Sequence, residues 1–305
     1  MNCQNNLLIT GASGFTGYHA CKHFSDSGFN VTAISNKNSY TSKKINWKCC
    51  DLTDKASVKI LIKKTKPQYV LHLAGQNHVG QSWIEPVHSL EVNSLSTAYL
   101  LDALRHENPS CKIVVTSSSL GFDPTSMSTF NNPYGLSKTI QSLIAQSFAV
   151  LYDMKVVIAK PSNLIGPGFS KGVCAVFAQK IVEMEKDQKD KPEHVLQVHN
   201  LNNQCDFLDV RDAVSAYETL LLKGKTGEIY NVSSGKRRSL EEIVKKLKEI
   251  ALVDFEVRSL LKDALEKPAR IEPTGLINLG WKPSIPFESS LRDILNFYRQ
   301  KNNGS

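Results

Sequence analysis

The chain of 305 residues carries 37 Lys and Arg against 29 Asp and Glu, a formal net charge of +8, with 41% hydrophobic residues. That content builds one large core or two modest ones, and the lack of an apolar run of about 18 residues or of a basic-then-apolar leader sets the expectation of a soluble, unexported, cytoplasmic protein with no membrane partner. The basic residues are dispersed, which argues against nucleic acid, and the seven cysteines are odd in number and never in C-x-x-C spacing, which argues against a disulfide framework or a metal site. Apolar runs at Leu7–Thr10, Val31–Ser35, Ile45–Cys50, Tyr69–Leu73, Ile113–Thr116 and Val156–Lys160 alternate with amphipathic segments of helical length. The alternation predicts an α/β chain with a doubly wound parallel sheet, its strands rich in Val, Ile and Leu because helices cover both faces. After Pro161 the rhythm changes, with helices expected near Val173–Met184, Leu240–Ala251 and Glu288–Arg299. Residues 1–160, with 201–231 returning to the sheet, are expected to form one domain, and 161–200 with 232–305 a smaller α/β lobe.

The first strand runs into "TGASGFTG", with Gly11, Gly14 and Gly17 spaced by two residues each and a helix over Phe15–Ser27. In such a strand-turn-helix unit Gly11 permits the sharp turn, Gly14 lets backbone approach a pyrophosphate, and Gly17 lets the helix pack on the strand. The amides at the helix start face the phosphates, so Gly11, Ser13, Gly14, Phe15, Thr16 and Gly17 are candidate contacts of a dinucleotide on a Rossmann fold. The second strand ends in Ser35, Asn36 and Lys37, with no carboxylate to repel a 2'-phosphate and one cation to attract it. This favours NADP(H) over NAD(H), although a solvated Lys37 reads equally simply as a surface residue. Asp51 and Leu52 follow the third strand, and Leu73, Ala74 and Gly75 the fourth, where adenine and ribose cross the strand ends.

In "NNPYGLSK" Asn132 suits a helix cap and Pro133 the first turn, which places Tyr134 and Lys138 one turn apart on one helix face. An ammonium and a positive helix start beside a phenol are expected to lower its pKa toward acid-base use. The strand before them ends "TSSS", and Ser118 is able to donate to a carbonyl oxygen that Tyr134 also faces, which supplies the donors an alkoxide needs during hydride transfer. A strand end capping its own turn accounts for some of these serines. His72, on an apolar strand, reads as a satisfied core residue; Trp83 reads either as a pocket wall or as packing under its loop.

These motifs, with "HLAGQNHVGQSW", "VNSLSTAYLLDALR", "PSNLIGPG", "DFLDVRDAV", "YNVSSG" and "GWKPSIPFESSLRDIL" in this order, resemble the extended short-chain dehydrogenase/reductases over nearly the whole chain. The similarity is to the branch acting on nucleotide sugars, and most of all to the GDP-4-keto-6-deoxy-mannose reductases. It implies catalytic roles for Ser118, Tyr134 and Lys138, and an Asn93 that supports the lysine through a helix carbonyl and water. It implies that Pro161 borders the cofactor and that Gln76, Asn77, His78, Val79, Ser119, Asn163, Arg211, Lys267 and Arg270 lie toward a nucleotide-sugar substrate. For Arg211 a structural ion pair is an equal alternative, and for Lys267 and Arg270 a solvated surface role. It also implies a homodimer through helices over Val87–His106 and Tyr134–Leu151.

Dehydratases of that family carry acidic residues after the serine, and its epimerase-reductases a Cys two positions on; here Ser119 and Leu120 are inert toward a carbon-bound proton. Ketone reduction at C4 of a 4-keto-6-deoxy sugar is the expectation, GDP-linked by similarity, with UDP or dTDP left open. A 4-epimerase with retained NAD stands as one alternative, and a non-catalytic dinucleotide-binding sensor as another. Cys205 stands where many relatives have Arg, and Lys267-Pro268 where Arg-Pro is usual.

Overall fold

The computed structural model describes residues 5–37, 42–186, 194–261 and 271–303. Strands β1 (Asn6–Thr10), β2 (Asn30–Ser35), β3 (Asn46–Cys49), β4 (Tyr69–His72), β5 (Lys112–Thr116), β6 (Val156–Pro161) and β10 (Ile229–Val232) form a parallel sheet in the order β10-β6-β5-β4-β1-β2-β3. The chain runs outward one way through β1, β2 and β3 and the other way through β4, β5 and β6. The strand order thus reverses between β1 and β4, and the carboxyl ends of those two strands define the crevice where such sheets take ligands.

Helices α1 (Phe15–Asp26), α2 (Lys55–Thr65), α5 (Ser96–Glu107) and α6 (Pro133–Leu151) belong to the same unit. Local signals explain their limits. Asp54 caps α2 by accepting from the Ala56 N–H, and Asn132 caps α6 by accepting from the Gly135 N–H at 2.7 Å, with Pro133 in the first turn. Leu8, Ile34, Val58, Leu100, Leu104, Ile113 and Val156 meet in one buried cluster between sheet and helices. Each contributes on the order of 1.5–3 kcal/mol by leaving water.

One expected helix is interrupted. In place of a single helix over Val87–His106, α4 (Pro86–Leu90) passes through a π-helical turn (Glu91–Leu95) into α5, and the Ser96 N–H bonds the Glu91 carbonyl five residues back. The wider turn leaves the Asn93 side chain wholly buried. A short helix, α3 (Val79–Ile84), precedes α4.

The chain divides into two units, one of Met1–Pro161, Val214–Val232 and Thr274–Lys282, the other of Ser162–Ala213, Ser233–Pro273 and Pro283–Ser305. The second contains a sheet in which β9 (Gln204–Asp209) lies between β7 (Asn163–Ile165) and β11 (Arg237–Ser239). It also contains a parallel pair, β8 (Val195–Asn200) with β12 (Glu256–Leu261). Here the expectation that 201–231 returns to the large sheet is corrected. Residues 214–232 do belong to the first unit, where β10 pairs with β6, but β9 finds its hydrogen-bonding partners in β7 and β11, and 274–282, expected in the smaller lobe, joins the first unit. The core of this unit is formed by α7 (Val173–Lys186), α9 (Leu240–Ile250) and α11 (Phe287–Asn303), with Phe177, Ile181, Ile243, Leu247, Leu291 and Leu295 buried together.

The Asp206 carboxylate ties three stretches of this unit. It accepts from Ser162 Oγ at 2.7 Å, from the N–H and Oγ of Ser234 at 2.9 Å each, and from the Lys236 N–H at 3.0 Å. Four donors on one buried carboxylate satisfy its lone pairs and fix the β7 entry against the turn into β11.

Candidate active site

The glycine turn sits at the carboxyl end of β1 in the geometry its spacing predicts. Gly11 adopts φ +65°, and a Cβ there would lie 2.7 Å from the Ala74 nitrogen. A Cβ on Gly17 would lie 2.2 Å from the Gly11 carbonyl oxygen. The turn is thus packed on the loop after β4 on one side and on α1 on the other, and neither position has room for a side chain. Gly14 occupies the N-cap of α1, followed by Phe15 and Thr16, and the first turn of that helix has no acidic residue. The positive end of the helix dipole is therefore uncompensated by the chain itself, and the residues present fit a diphosphate.

Around this turn the end of β2 is organised by hydroxyls. Ser35 is buried, its Oγ 3.4 Å from Ser13 Oγ and accepting from the Lys37 N–H at 3.1 Å, while Asn36 and Lys37 are exposed. Asp51 spends one carboxylate oxygen on the N–H and Oγ1 of Thr53, with Leu52 packed against the core beside it. The Leu73 N–H donates to the Thr10 carbonyl and the Ala74 N–H to Thr10 Oγ1 at 3.2 Å, so the loop after β4 is pinned to the end of β1.

The next residues of that loop are held by Asn93. Its Oδ1 accepts from the Gln76 N–H, and its Nδ2 donates to the Gln76 carbonyl and to Ser137 Oγ. Asn77 and His78 are exposed; His78 caps α3 by accepting from the Gln81 N–H through Nδ1, and Val79 begins that helix. Trp83 does not pack under the loop, since 64% of it is exposed.

Of the three serines after β5, Ser117 donates to the Lys138 carbonyl and ties the strand end to α6. Ser118 is buried, accepts from the Leu120 N–H at 3.1 Å, and its hydroxyl acts on the Tyr134 phenol to favour the ionised form. The Ser119 N–H donates to the Pro161 carbonyl at the end of β6. Tyr134 and Lys138 stand one turn apart on α6, both buried. Lys138 Nζ donates to the Thr116 carbonyl at 2.9 Å and to Gln141 Oε1 at 2.7 Å. It also borders the loop after β4, since a Cβ on Gly75 would come within 3.5 Å of it.

The electrostatics differ from the expectation that Lys138 lowers the phenol. Burial pushes Tyr134 above its ordinary value, with the Ser118 bond offsetting part of that, so the phenol is a protonated donor at neutral pH. The ammonium is spent on Thr116 and Gln141, and burial pulls Lys138 itself down to about 7. Asn93 bonds Ser137, the neighbour of Lys138, and its carbonyl accepts from Thr97 Oγ1.

In the second unit Asn163 donates to the Asp206 carbonyl, bracing β7 on β9. Arg211 makes a two-pronged contact with Asp209, 2.9 and 2.8 Å, and reaches Asp293 at 2.7 Å. Both carboxylates hold its guanidinium, the structural ion pair that was one of its two expected roles. Lys267 and Arg270 lie outside the described residues. A residue the sequence reading passed over is Arg238, directly across β11 and β9 from Cys205. Its guanidinium stacks 4.2 Å above the Phe287 ring, with Nε 3.4 Å from Glu242, and its Nη1 is buried without a partner. Cross-strand register supplies a cation beside the position that lacks one.

Among the described residues no helix is long and apolar enough to cross a membrane, and no cluster of metal-ligating side chains forms. Residues 7–233 match the model of the family described as "NAD dependent epimerase/dehydratase family". The chain is 29% identical to GDP-6-deoxy-D-mannose reductase of Pseudomonas aeruginosa over 97% of each chain. Its fold superposes on RMD from Pseudomonas aeruginosa complexed with NADPH with a TM-score of 0.80 and 28% identity, covering 97% of this chain and 99% of that one. It superposes on Thermus thermophilus UDP-glucose 4-epimerase in complex with NAD with a TM-score of 0.81 and 25% identity, covering 96% and 98%. With its parallel sheet, glycine turn and buried Tyr-Lys pair, the chain belongs to the NAD dependent epimerase/dehydratase family, the extended short-chain dehydrogenase/reductases that work with a nicotinamide dinucleotide.

Proposed function

We propose that this enzyme reduces the C4 ketone of a nucleotide-linked 4-keto-6-deoxy sugar, of the GDP-4-keto-6-deoxy-mannose type, using NADPH. The observation that carries the reading is the buried phenol of Tyr134, kept protonated, with the buried Ser118 acting on it and the buried Lys138 one helical turn away. The dinucleotide, when bound, supplies the hydride. Tyr134 gives its proton to the oxygen at C4, and Ser118 donates a second hydrogen bond to that oxygen as negative charge grows on it. Lys138 holds the ribose side of the cofactor near the phenol and favours return of the proton. Gly11, Gly14 and Gly17 hold the diphosphate, Ser35, Asn36 and Lys37 the adenosine end, and Gln76 to Val79 with Ser119 border the sugar.

Reduction is favoured over dehydration because Ser119 and Leu120 follow Ser118, and neither removes a proton from carbon. NADPH is favoured over NADH by the end of β2, which bears Lys37 and no carboxylate, and by the likeness to RMD with NADPH. The first unit is assigned to the dinucleotide and the second to the nucleotide part of the substrate. A homodimer through the residues over 87–106 and α6 is supported by Leu95 of the π-helical turn and Leu143, Val150 and Leu151 of α6, large apolar side chains left exposed.

The test offers the purified protein NADPH with 4-keto-6-deoxy sugars linked to GDP, UDP and dTDP. Stoichiometric loss of NADPH absorbance with one of them is the expected result. Interconversion of 4-epimers by protein that retains NAD, without added reductant, points to the 4-epimerase, which the likeness to the Thermus thermophilus enzyme makes the second reading.

A further inference from the structure

Behind the candidate active site a chain of buried side chains connects the loop after β4 to Lys138, and each hydrogen on it can be assigned. The Ala74 N–H donates to Thr10 Oγ1 at 3.2 Å, and that hydroxyl lies 2.7 Å from His72 Nδ1. Thr97 Oγ1, 2.9 Å from His72 Nε2, gives its hydrogen to a carbonyl, so the His72 hydrogen resides on Nε2 and Nδ1 accepts from Thr10. Thr97 commits its single hydroxyl hydrogen to the Asn93 carbonyl at 2.7 Å. Toward every other neighbour its oxygen only accepts. The Gln141 side chain, 2.9 Å away, must present its NH2 group to Thr97, and its oxygen is thereby turned to Lys138 Nζ at 2.7 Å. Thr116 closes the circuit, its carbonyl accepting from Nζ and its hydroxyl donating to the His72 carbonyl at 2.8 Å. His72, Thr97 and Gln141 are all fully buried.

We propose that His72, Thr97 and Gln141 are positioning residues for Lys138: their hydrogen-bond chain fixes the Gln141 amide with its oxygen on Nζ and holds the ammonium in place for the cofactor. The inference rests on the assignment of Lys138 to the active site. It gives His72 a task beyond filling the core, since its Nε2 donates to the Thr97 oxygen and helps to hold that hydroxyl where it accepts from the Gln141 amide.

The balance is delicate because few charges act on Nζ. Among the described residues the titratable group felt at Nζ is His72 on β4, and Tyr134 stands one turn away on the same helix. From β5 Nζ meets the Thr116 carbonyl, and Asn93 and Thr97 of the π-helical turn and α5 do not titrate. Burial leaves Lys138 near 7 and keeps His72 neutral down to about 3.

The experiment follows the pH dependence of NADPH affinity, by protein fluorescence, and of NADPH turnover in parallel. The dinucleotide's own ionisations are the same in every arm. Gln141→Glu, which is isosteric and places a carboxylate on Nζ, is expected to move the alkaline limb up by about one pH unit or more. Gln141→Leu and Thr97→Val remove or release the acceptor and are expected to move it down, with Thr97→Ser restoring the hydroxyl and the limb. Circular dichroism confirms which variants fold; should Gln141→Leu fail to fold, the near-isosteric Glu and Val variants still give the opposed shifts. A limb that stays put in Gln141→Glu, or moves the same way in folded Glu and Val variants, overturns the inference. The affinity arm needs no sugar substrate, so wild-type protein that binds NADPH yet consumes none defeats the reductase reading alone.

Discussion

Asn93 and Gln76 hold one another by two reciprocal hydrogen bonds, the Gln76 N–H donating to Oδ1 at 2.8 Å and Nδ2 donating back to the Gln76 carbonyl at 3.1 Å. The same Nδ2 donates to Ser137 Oγ on α6 at 2.8 Å. Asn93→Asp keeps the shape and replaces the donor by an acceptor facing a carbonyl in a buried site. A cost of about 1–3 kcal/mol is expected, read as a lower midpoint in urea or thermal unfolding. Turnover is expected to fall further than stability, because the loop after β4 and the start of α6 lose their common anchor.

Gly17→Ala tests the glycine turn. Its new methyl would meet the Gly11 oxygen at 2.2 Å, and backbone cannot step aside as a flexible side chain does. NADPH binding measured by fluorescence is expected to weaken by at least about tenfold as the turn is pushed away from the diphosphate. Unchanged affinity would remove the turn from the cofactor site.

Tyr134→Phe removes the proton donor and leaves the ring in its buried place. Turnover is expected to drop roughly 100- to 10,000-fold, the usual worth of a general acid, with the circular dichroism spectrum unchanged. Full retention of the biological activity would identify the protein as a sensor of dinucleotide.

Stability against pH is set in part by Lys138 and His72. Both are bases held below their unfolded values, Lys138 at about 7 against 10.5 and His72 at about 3 against 6.5. Between each pair of values the unfolded chain binds the extra proton, so stability rises with pH from 3 to 6.5 and again from 7 to 10.5. Lys138→Met is expected to raise the thermal midpoint at pH 7 and to flatten the upper rise while abolishing turnover, measured by calorimetry across that range.

Arg238→Ala is expected to raise KM for the nucleotide sugar roughly 10- to 100-fold, the loss of one or two charge-assisted hydrogen bonds to an anion, with NADPH affinity unchanged. An unchanged KM would make Arg238 a packing residue for Phe287.

The parts of the site that the sequence displays are those made by neighbours in the chain. Gly11, Gly14 and Gly17 lie within one strand-turn-helix unit, and the helical period alone brings Tyr134 beside Lys138. What was hidden depends on partners far along the chain. β9 has the alternation of a sheet strand, yet nothing in its own residues specifies β7 and β11 as neighbours. The residues over 87–106 carry an unbroken helical pattern, and the π-helical turn arises where Asn93 is drawn inward to Gln76 and Ser137. His72 looked like a core residue and is one, but its second bond goes to Thr97, twenty-five positions on. The three-residue spacing of Lys138 and Gln141 was the signal available for the hydrogen-bond chain, since it puts both on one helix face.

The six alternating segments of the two units have a consequence for how the protein is made. As the chain emerges from the ribosome, the outer edge of β6 waits for residues 229–232 before β10 can cover it. Until then a row of unsatisfied amides and carbonyls faces solvent, a template for unwanted pairing with other nascent chains. Neither half can be expressed as a continuous fragment: removing everything from residue 274 takes α10 (Thr274–Asn278) from one unit and α11 from the other, so a single truncation injures both at once.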